Sequence, residues 1–510
     1  MKNNSKLTRS TKKIMITTFS IFLGLISCDT MENDLVDNYS NLNLADSNSS
    51  QYEGFPGISL PGDKYNEYVE NPFINVSENP VSTFSTDADG ASYANVRRFI
   101  QQDKQIPPKG AIRTEELLNY FQLDYEFNNA SHPIALNGEV SECPWNDAHK
   151  LVRIGLKGKP ISKKNLPASN FVFLIDVSGS MGSEDKLELL KNGFKYFVDE
   201  LSSNDRVAIV TYAGSAGVVL ESTSGNEKQK IKNAINSLGS GGSTAGAEGI
   251  ITAYEIAQQH LISNGNNRIV IGTDGDFNVG PSSQEELVKL IEEKRELGIF
   301  LTVLGVGRGN LNDASLEQIA NNGNGTYEYI DNLEQLKKVF IYDYNKFYTV
   351  AKDVKIQVEF NPNNVEAYRL IGYENRVLES EDFEDDQKDA GEIGSNQNVT
   401  ALYEIIPKNN SNSQNVPTIT IDFRYKNPDS DTSIPLELEL FDTGKTFSQS
   451  TDFMKFTSSV ASFSMLLSES EYKGTSNYNT IIDWLNLTNL NDEHGFKAEF
   501  KELVKEAKEL

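Results

Sequence analysis

Three oxygen-bearing side chains follow a short apolar run in the middle of the chain. Asp176, Ser178 and Ser180 occupy every second position directly after Phe171–Ile175. The apolar run does not alternate with polar residues, which is typical of a strand covered on both faces in a parallel sheet. Carboxylate and hydroxyl oxygens are ligands for hard cations, and Mg²⁺ takes about six oxygens, several of them from water. The pattern therefore predicts part of a metal site at the carboxyl end of a central strand.

Two later segments can supply the missing ligands. Gly241–Thr244 is a glycine-rich loop that opens a predicted helix, and Thr273–Asp276 follows the apolar strand predicted at Arg268–Gly272. In open α/β sheets, ligands bind beyond the carboxyl ends of the strands. We therefore expect Asp176 and Asp274 to converge at one edge of the sheet.

The sequences DVSGS, GGST and TDGD, in this order, resemble the metal-ion-dependent adhesion site of a von Willebrand factor A domain. The resemblance places Asp176, Ser178, Ser180, Thr244 and Asp274 on the five ligand positions of that motif. It implies that the hydroxyls bind Mg²⁺, or Mn²⁺ or Ca²⁺, directly and that the aspartates act directly or through water. It also implies one open coordination position for an acidic side chain of a partner protein.

Simpler interpretations exist for parts of this pattern. One Asp-x-Ser-x-Ser motif also fits a capped strand-to-helix turn, but three segments in order favour the metal site. Asp276 is equally compatible with an additional ligand and with a turn-stabilising aspartate. Tyr212, Ser215, Phe277 and Asn278 fall in or beside the predicted site loops and could shape the partner surface, although Tyr212 and Phe277 fit the core equally well.

The composition excludes several classes of partner. The chain has 510 residues, of which 38% are hydrophobic, so it is long enough for about three domains with sizeable cores. Its 73 acidic residues exceed the 47 basic ones, giving a net charge of −26. This charge argues against nucleic acid and against anionic membrane surfaces as electrostatic partners.

The first residues predict export and lipid anchoring. Residues 1–27 contain basic residues, no acid and the apolar run Ile14–Ile26, as a lipoprotein signal peptide does. Leu25–Cys28 resembles a bacterial lipobox, which implies that Cys28 is lipidated and anchors the chain in the cell envelope. Residues 28–70 have the composition of a disordered tether. With Cys28 acylated, Cys143 is left without a disulfide partner.

The remainder predicts an α/β fold in three parts: an N-terminal α+β region at 71–165, a von Willebrand factor A domain at 166–348, and a β-sandwich with C-terminal helices at 349–510. The middle part alternates strands and helices, which predicts a doubly wound, mostly parallel, Rossmann-like sheet. Its strands are expected at Phe171–Asp176, Arg206–Ala213, Arg268–Thr273, Ile299–Gly305 and Thr326–Ile330. Its helices are expected at Asp185–Leu201, Glu227–Leu238, Ala245–Ile262, Gln284–Leu297 and Leu333–Tyr344.

Alternating strands lie on both sides of the central domain, at Leu151–Gly158 and Asp353–Phe360. We therefore hypothesise that the central domain is inserted between strands of one sandwich. Placement of these two strands in separate sheets would count against the hypothesis.

The resemblance extends beyond the central domain. NPVSTFSTDADGASYANVRRFI, DVKIQVEFNP, GYENRVL, EDFEDD and NVTALYEI resemble the flanking regions of a bacterial family of von Willebrand factor A lipoproteins, from about residue 71 to the end. Two residues depart from that family's frequent choices, Ala245 in place of Asn and Gln397 in place of His, and neither is a predicted ligand. The acidic run Glu379–Asp389 could bind Ca²⁺, but such runs are more often solvated loops, and we favour the loop.

The sequence thus predicts a non-catalytic, cell-envelope lipoprotein that uses a metal to bind a partner's acidic side chain. Its four histidines lie in unrelated segments, at His132, His149, His260 and His494, and no hydrolase or zinc motif is present. Two alternatives stay open: an envelope scaffold that does not use its metal position, and a metal-dependent hydrolase whose residues assemble only in space.

Overall fold

The computed structural model describes residues 62–86, 89–129, 131–242, 246–275, 284–408 and 416–510. The predicted signal peptide, Cys28, Thr244, Asp276, Phe277 and Asn278 lie outside these residues. The strands are β1 Ile74–Asn75, β2 Val81–Ser85, β3 Ile134–Glu142, β4 Lys150–Gly158, β5 Ser169–Asp176, β6 Arg206–Tyr212, β7 Ala216–Ser224, β8 Asn266–Thr273, β9 Ile299–Val306, β10 Tyr327–Ile330, β11 Thr349–Phe360, β12 Val365–Ile371, β13 Val377–Leu378, β14 Gly391–Gly394, β15 Asn398–Pro407, β16 Ile419–Lys426 and β17 Ser433–Leu440. The α-helices are α1 Ala91–Arg98, α2 Thr114–Asn119, α3 Leu189–Glu200, α4 Lys228–Asn236, α5 Gly246–Gln259, α6 Gln284–Arg295, α7 Asp313–Asn322, α8 Leu333–Lys337, α9 Asp452–Leu467, α10 Tyr478–Asn486 and α11 Phe496–Glu509.

The central sheet has the strand order β10-β9-β8-β5-β6-β7. All neighbours are parallel except β7, which pairs antiparallel with β6. Strand β5 is buried on both faces: Phe171 and Phe173 belong to one hydrophobic core with α3, and Val172 and Leu174 to another with α5. The continuous apolar run of β5 follows from this double coverage. The predicted doubly wound α/β fold is confirmed.

Each of the five predicted central strands is present, within one to two residues at either end. The sequence prediction missed β7 and α7. Residues Ala216–Ser224 have no regular alternation of exposure, because β7 is an edge strand with register shifts against β6. Helix α7 has a narrow apolar face, formed mainly by Leu316, Ile319 and Ala320.

Two antiparallel sheets pack together outside the central domain. Sandwich sheet I has the order β1-β12-β15-β4-β3, and sandwich sheet II has the order β13-β2-β11-β16-β17, with β14 also pairing with β11. Val152, Ile154 and Leu156 of sheet I share one hydrophobic core with Ile356 and Val358 of sheet II. The N-terminal and C-terminal parts of the chain thus build one sandwich together.

The strands that flank the central domain lie in different sheets, β4 in sheet I and β11 in sheet II. This placement in separate sheets is the outcome stated above as counting against the hypothesis, although the two sheets are the two faces of one sandwich. The physical reason is that β4 pairs with β3 and β15, whereas β11 pairs with β2 and β16. The chain therefore leaves one sheet, builds the central domain and returns to the facing sheet of the same sandwich.

A helical layer joins both ends of the described chain. Helices α1 and α2 share a hydrophobic core with α9, α10 and α11, and Tyr93, Leu117, Val460 and Phe500 are fully buried in it or nearly so. Helix α1 also covers the outer strand of the central sheet, where the Tyr327 N–H donates to Asp89 Oδ1 over 2.8 Å. This contact protects the β10 edge of the central sheet.

The structure corrects the expected end of the tether. Residues 63–70 lie against the folded part, because the Asp63 carboxylate accepts hydrogen bonds from the backbone N–H groups of Gly309 and Leu311. The Lys64 N–H also donates to the Leu311 carbonyl over 2.7 Å. The expectation of a disordered tether up to residue 70 is therefore wrong for these residues. Among the helices that are described, none is both long and apolar enough to span a bilayer.

A buried ion pair fastens α1 to the central domain. Arg97 is 1% exposed and donates to both carboxylate oxygens of Asp331, which follows β10, and also to Glu499 of α11. A guanidinium that binds a carboxylate through two parallel hydrogen bonds is among the stronger pairings in proteins. The pair therefore ties three parts of the sequence together.

We predict that Arg97→Met lowers the free energy of unfolding by about 3–5 kcal/mol, because it leaves the Asp331 carboxylate buried without its partner. Chemical denaturation measures the change. Lys104→Met is the matched control, since Lys104 is 65% exposed in its pair with Glu506 and should cost about 1 kcal/mol or less. Equal losses in the two variants would contradict the assigned role of Arg97.

Candidate metal site

The first carboxylate of the site stands at the carboxyl end of β5. Asp176 is fully buried; its Oδ1 accepts the backbone N–H of Ser178 over 2.8 Å, and its Oδ2 accepts the Thr273 hydroxyl over 3.0 Å. Burial raises the pKa of Asp176 above its ordinary value; hydrogen bonds from Ser178 offset part of the rise, while the charge of Asp274 adds to it. The carboxylate is therefore fixed in place, and a nearby positive charge would stabilise its ionised form.

The two predicted hydroxyl ligands lie side by side. Ser178 Oγ and Ser180 Oγ are 3.0 Å apart in the turn that follows β5. Ser178 is 2% exposed, whereas Ser180 is exposed to solvent. The pair thus leads from the buried Asp176 to the surface.

The second carboxylate follows β8. Asp274 is fully buried, and its Oδ2 accepts a hydrogen bond from Lys186 Nζ over 3.0 Å. Burial alone would raise the pKa of Asp274, but hydrogen bonds from Asn310 and Ser180 and the charge of Lys186 hold it below its ordinary value. Lys186 Nζ also donates to Asn310 Oδ1 over 3.0 Å. A cationic side chain therefore shares the site with the predicted ligands.

Gly275 shows why a glycine follows Asp274. Its φ is +92°, and a Cβ atom there would lie 2.5 Å from the backbone nitrogen of Asn312. A larger residue would be strained by this conformation and would collide with the neighbouring loop. The glycine thus permits the close packing of the 309–312 loop against the site.

The third predicted segment also reaches the turn after β5. The Gly179 N–H donates to the Gly242 carbonyl over 3.1 Å, and the Gly241 N–H donates to the Val177 carbonyl over 2.7 Å. Thr244 itself lies outside the described residues. The glycine-rich loop is therefore adjacent to the other segments as far as Gly242.

The structure brings four of the five predicted ligands together. Ser180 contacts both Ser178 and Asp274, and the charge of Asp274 acts on Asp176. Two hydroxyls and two carboxylates form an oxygen donor set that fits a hard divalent cation. Their role as metal ligands remains a prediction.

Sequence reasoning missed the residues that support the ligands. The TDGD motif assigns no role to Thr273, and no sequence pattern points to Lys186 or Asn310. Lys186 lies in a helical turn before α3, where a lysine normally faces solvent, yet it is 6% exposed. No local signal marks it. Tyr212 is fully buried as a core residue, whereas Ser215 is exposed.

A cysteine, a histidine and a carboxylate lie near one another in the sandwich region. His149 Nδ1 is 2.5 Å from Glu404 Oε1, and the Cys143 backbone N–H donates to the His149 carbonyl. Burial raises the pKa of the Cys143 thiol well above its ordinary value, and the charge of Glu404 adds to the rise. A nucleophilic cysteine needs a lowered pKa, so this grouping does not favour a hydrolase.

The parallel sheet, with the Asp-x-Ser-x-Ser turn at its switch point, defines a von Willebrand factor A-domain protein. The family model for the von Willebrand factor type A domain matches residues 170–340, and a model described as von Willebrand factor matches residues 60–153. A model of the C-terminal region of uncharacterized protein YfbK matches residues 345–510. YfbK of Escherichia coli K12 is 39% identical over 472 residues, covering 88% of this chain and 81% of its own length. The chain belongs to the YfbK family.

Other proteins are similar to part of the chain. A UPF0353 protein of Mycolicibacterium gilvum is 27% identical over 194 residues, covering 33% of this chain and 57% of its own length. A solved von Willebrand factor type A structure from Catenulispora acidiphila aligns with 74% of this chain and 90% of its own, at 14% identity and a TM-score of 0.43. The presence of the A domain indicates a role in protein interaction.

We predict that Lys186→Met lowers the free energy of unfolding by about 3 kcal/mol in metal-free buffer, because it leaves the Asp274 carboxylate buried without its cation. Saturating Mg²⁺ should recover part of this loss by supplying the missing positive charge. Thermal and chemical denaturation with and without Mg²⁺ measure both effects.

Lys230→Met is the control, since Lys230 and Glu227 form a pair that is 57% and 51% exposed. A Lys186→Met variant that is no less stable than this control, with or without Mg²⁺, would show that Lys186 does not balance the charge of Asp274.

Proposed function

We propose that the chain is a non-catalytic envelope lipoprotein that binds a partner protein through a divalent cation, Mg²⁺ or alternatively Mn²⁺ or Ca²⁺, at the central domain. The observation that carries the proposal is the convergence of Asp176, Ser178, Ser180 and Asp274 at the end of the central sheet, with Ser180 open to solvent. A buried acidic pair that opens to the surface through two hydroxyls is suited to hold a cation where a second protein can reach it.

Each residue has a distinct part in this proposal. The hydroxyls of Ser178 and Ser180, with that of Thr244, would bind the cation, and Asp176 and Asp274 would balance its charge. When bound, the cation supplies a positive centre that accepts a carboxylate oxygen from the partner. Asp176 needs no rearrangement, because Ser178 and Thr273 already hold both of its oxygens.

The contact chemistry places limits on affinity. A single carboxylate–metal contact on an open surface is a small part of a stable interface, which buries about 800 Å² on each partner. The loops around the site must therefore supply most of the contact area and the specificity. Among the described loop residues, Gly214 and Ser215 are exposed beside the site.

The Lys186–Asp274 pair favours a second candidate, a scaffold that does not use its metal position. Lys186 Nζ already supplies a positive charge to Asp274 within 3.0 Å. In that case the site would be a buried ion pair that stabilises the domain, and partner binding would not depend on a metal.

Anchoring through a lipidated Cys28 completes the proposal, with the chain at the periplasmic face or the cell surface. A partner on the same envelope would meet the site at high effective concentration, which compensates for modest affinity.

Membrane fractionation of wild type and Cys28→Ala tests the anchor: the variant should leave the membrane fraction, and its retention there would contradict lipid anchoring.

We expect the full chain to bind Mg²⁺ or Mn²⁺ saturably in a calorimetric titration. Asp176→Ala and Thr244→Ala should each weaken binding at least tenfold, because each removes a ligand or the charge that holds the ion. Ser180→Ala should do the same, whereas Ser203→Ala, an exposed serine away from the site, is the matched control.

Partner capture with and without a chelator then separates the two candidates. Capture that requires both the metal and Asp176 supports the adhesion function. Capture that persists in chelator and in Asp176→Ala would support the scaffold instead, and metal binding that Asp176→Ala leaves unchanged would place the ion elsewhere.

A further inference from the structure

Three carboxylates meet at the opposite end of the central domain, where it joins the sandwich. Asp353, Asp389 and Glu392 each offer a carboxylate oxygen, and these oxygens all lie within 4.8 Å of one another. Asp353 lies in β11 at a register shift, with a φ of +52°, and the other two flank the start of β14. The bulge turns the Asp353 side chain away from the regular strand pattern.

Neighbouring side chains hold each carboxylate from outside the group. Arg295 of α6 donates to Asp389 Oδ2 over 2.7 Å, and Lys426 of β16 donates to Asp353 Oδ2 over 2.9 Å. The Asn324 amide donates to Glu392 Oε1 over 2.6 Å. Asp353 Oδ1 also accepts the Ala390 backbone N–H over 3.4 Å, so both of its oxygens help to fix its orientation.

Arg295, Lys426 and Arg268, which also acts on Glu392, only partly offset the charge of the acidic group. Desolvation by its neighbours raises the pKa of Asp389 to about 6 even beside Arg295, although its side chain is 41% exposed, and its contact with Asp353 adds to the rise. Burial and the charges of Asp389 and Asp353 raise the pKa of Glu392 well above its ordinary value. A bound proton or a bound cation would relieve the repulsion between carboxylates this close.

An additional buried oxygen lines a cavity that it shares with two of these carboxylates, those of Asp389 and Glu392. Thr86 is 2% exposed, and its hydroxyl makes no hydrogen bond among the residues that the structure describes. It lines a polar cavity of about 230 Å³ together with Asp389 and Glu392, and with the basic side chains of Arg268, Lys346 and Arg376. Thr86 Oγ1 lies 2.5 Å from where a Cβ on Gly391 would be, so the glycine brings this hydroxyl against the start of β14. A buried hydroxyl without a partner is unfavourable, and a ligand that accepts or donates a hydrogen bond there would offset this.

We propose that Asp353, Asp389, Glu392 and the Thr86 hydroxyl form a second divalent-cation site, distinct from the site at Asp176. An all-oxygen set with three carboxylates suits Ca²⁺, which takes six to eight oxygens in flexible geometry and completes its shell with water. The cavity is large enough to hold such waters.

The position of this site gives it a structural consequence. Asp353 and Glu392 belong to the sandwich, whereas Arg295 and Asn324, which hold the group, belong to the central domain. A bound cation would therefore strengthen the junction between the two. Arg268 lines the same cavity and is balanced in part by Glu392, so cation binding must also leave room for its charge.

The test is a Ca²⁺ titration of the full chain in an Asp176→Ala background, which removes the other site. We expect one Ca²⁺ per chain, with an increase in melting temperature when it binds. Adding Asp389→Asn or Glu392→Gln, which keep the size of each side chain, should weaken this binding at least tenfold and abolish the thermal shift. Glu381→Gln is the matched control, because Glu381 is an exposed acid in the same acidic run.

Absence of Ca²⁺ binding in the Asp176→Ala chain would overturn the proposal and leave a proton as the species between the carboxylates. Binding that Asp389→Asn and Glu392→Gln leave unchanged would overturn it as well. Each variant's melting temperature in chelator identifies any loss of folding. Because Asp389→Asn alone leaves Asp176 intact, failure here does not affect the test of the proposed function.

Discussion

The rest of the structure must accommodate two like charges that lie close together at the end of a buried sheet. Asp176 and Asp274 terminate neighbouring parallel strands, β5 and β8, so the sheet itself brings them together at the switch point of the strand order. Their mutual repulsion is part of what raises the pKa of Asp176. Hydrogen bonds from the neighbouring turns and the charge of Lys186 offset the repulsion between the two carboxylates in the folded chain.

The surrounding structure makes this end of the sheet rigid. Helix α1 covers the β10 edge, and the Arg97–Asp331 pair fastens that helix to the central domain and to α11. Asp63 holds the 309–312 loop, whose Asn310 contacts Lys186. The segments before and after the central domain therefore contribute to its shape, which explains why the family resemblance extends across them.

The sequence was most informative where one local pattern had one physical cause. The unbroken apolar run Phe171–Ile175 required a strand buried on both faces, and the ligands after it had to lie at a sheet edge. Long-range pairing left no such trace: nothing in Leu151–Gly158 indicates that it pairs with β15, more than two hundred residues away. Lys186 was missed for the same reason, since its burial depends on Asp274 and Asn310, which only the fold brings near. The end of the acidic run shows the same limit, because only the fold places the exposed carboxylate of Asp389 close to that of Asp353.

The central claim is that the oxygen atoms after β5 and β8 hold a divalent cation. Anomalous diffraction from crystals grown with Mn²⁺ tests it most directly, because the method locates the ion without reference to activity or partner. We expect an anomalous Mn²⁺ peak within about 2.5 Å of the Ser178 and Ser180 hydroxyl oxygens, with Asp176 and Asp274 beside it. Crystals grown at a saturating Mn²⁺ concentration that show no peak there, with Lys186 still bound to Asp274, would contradict this assignment.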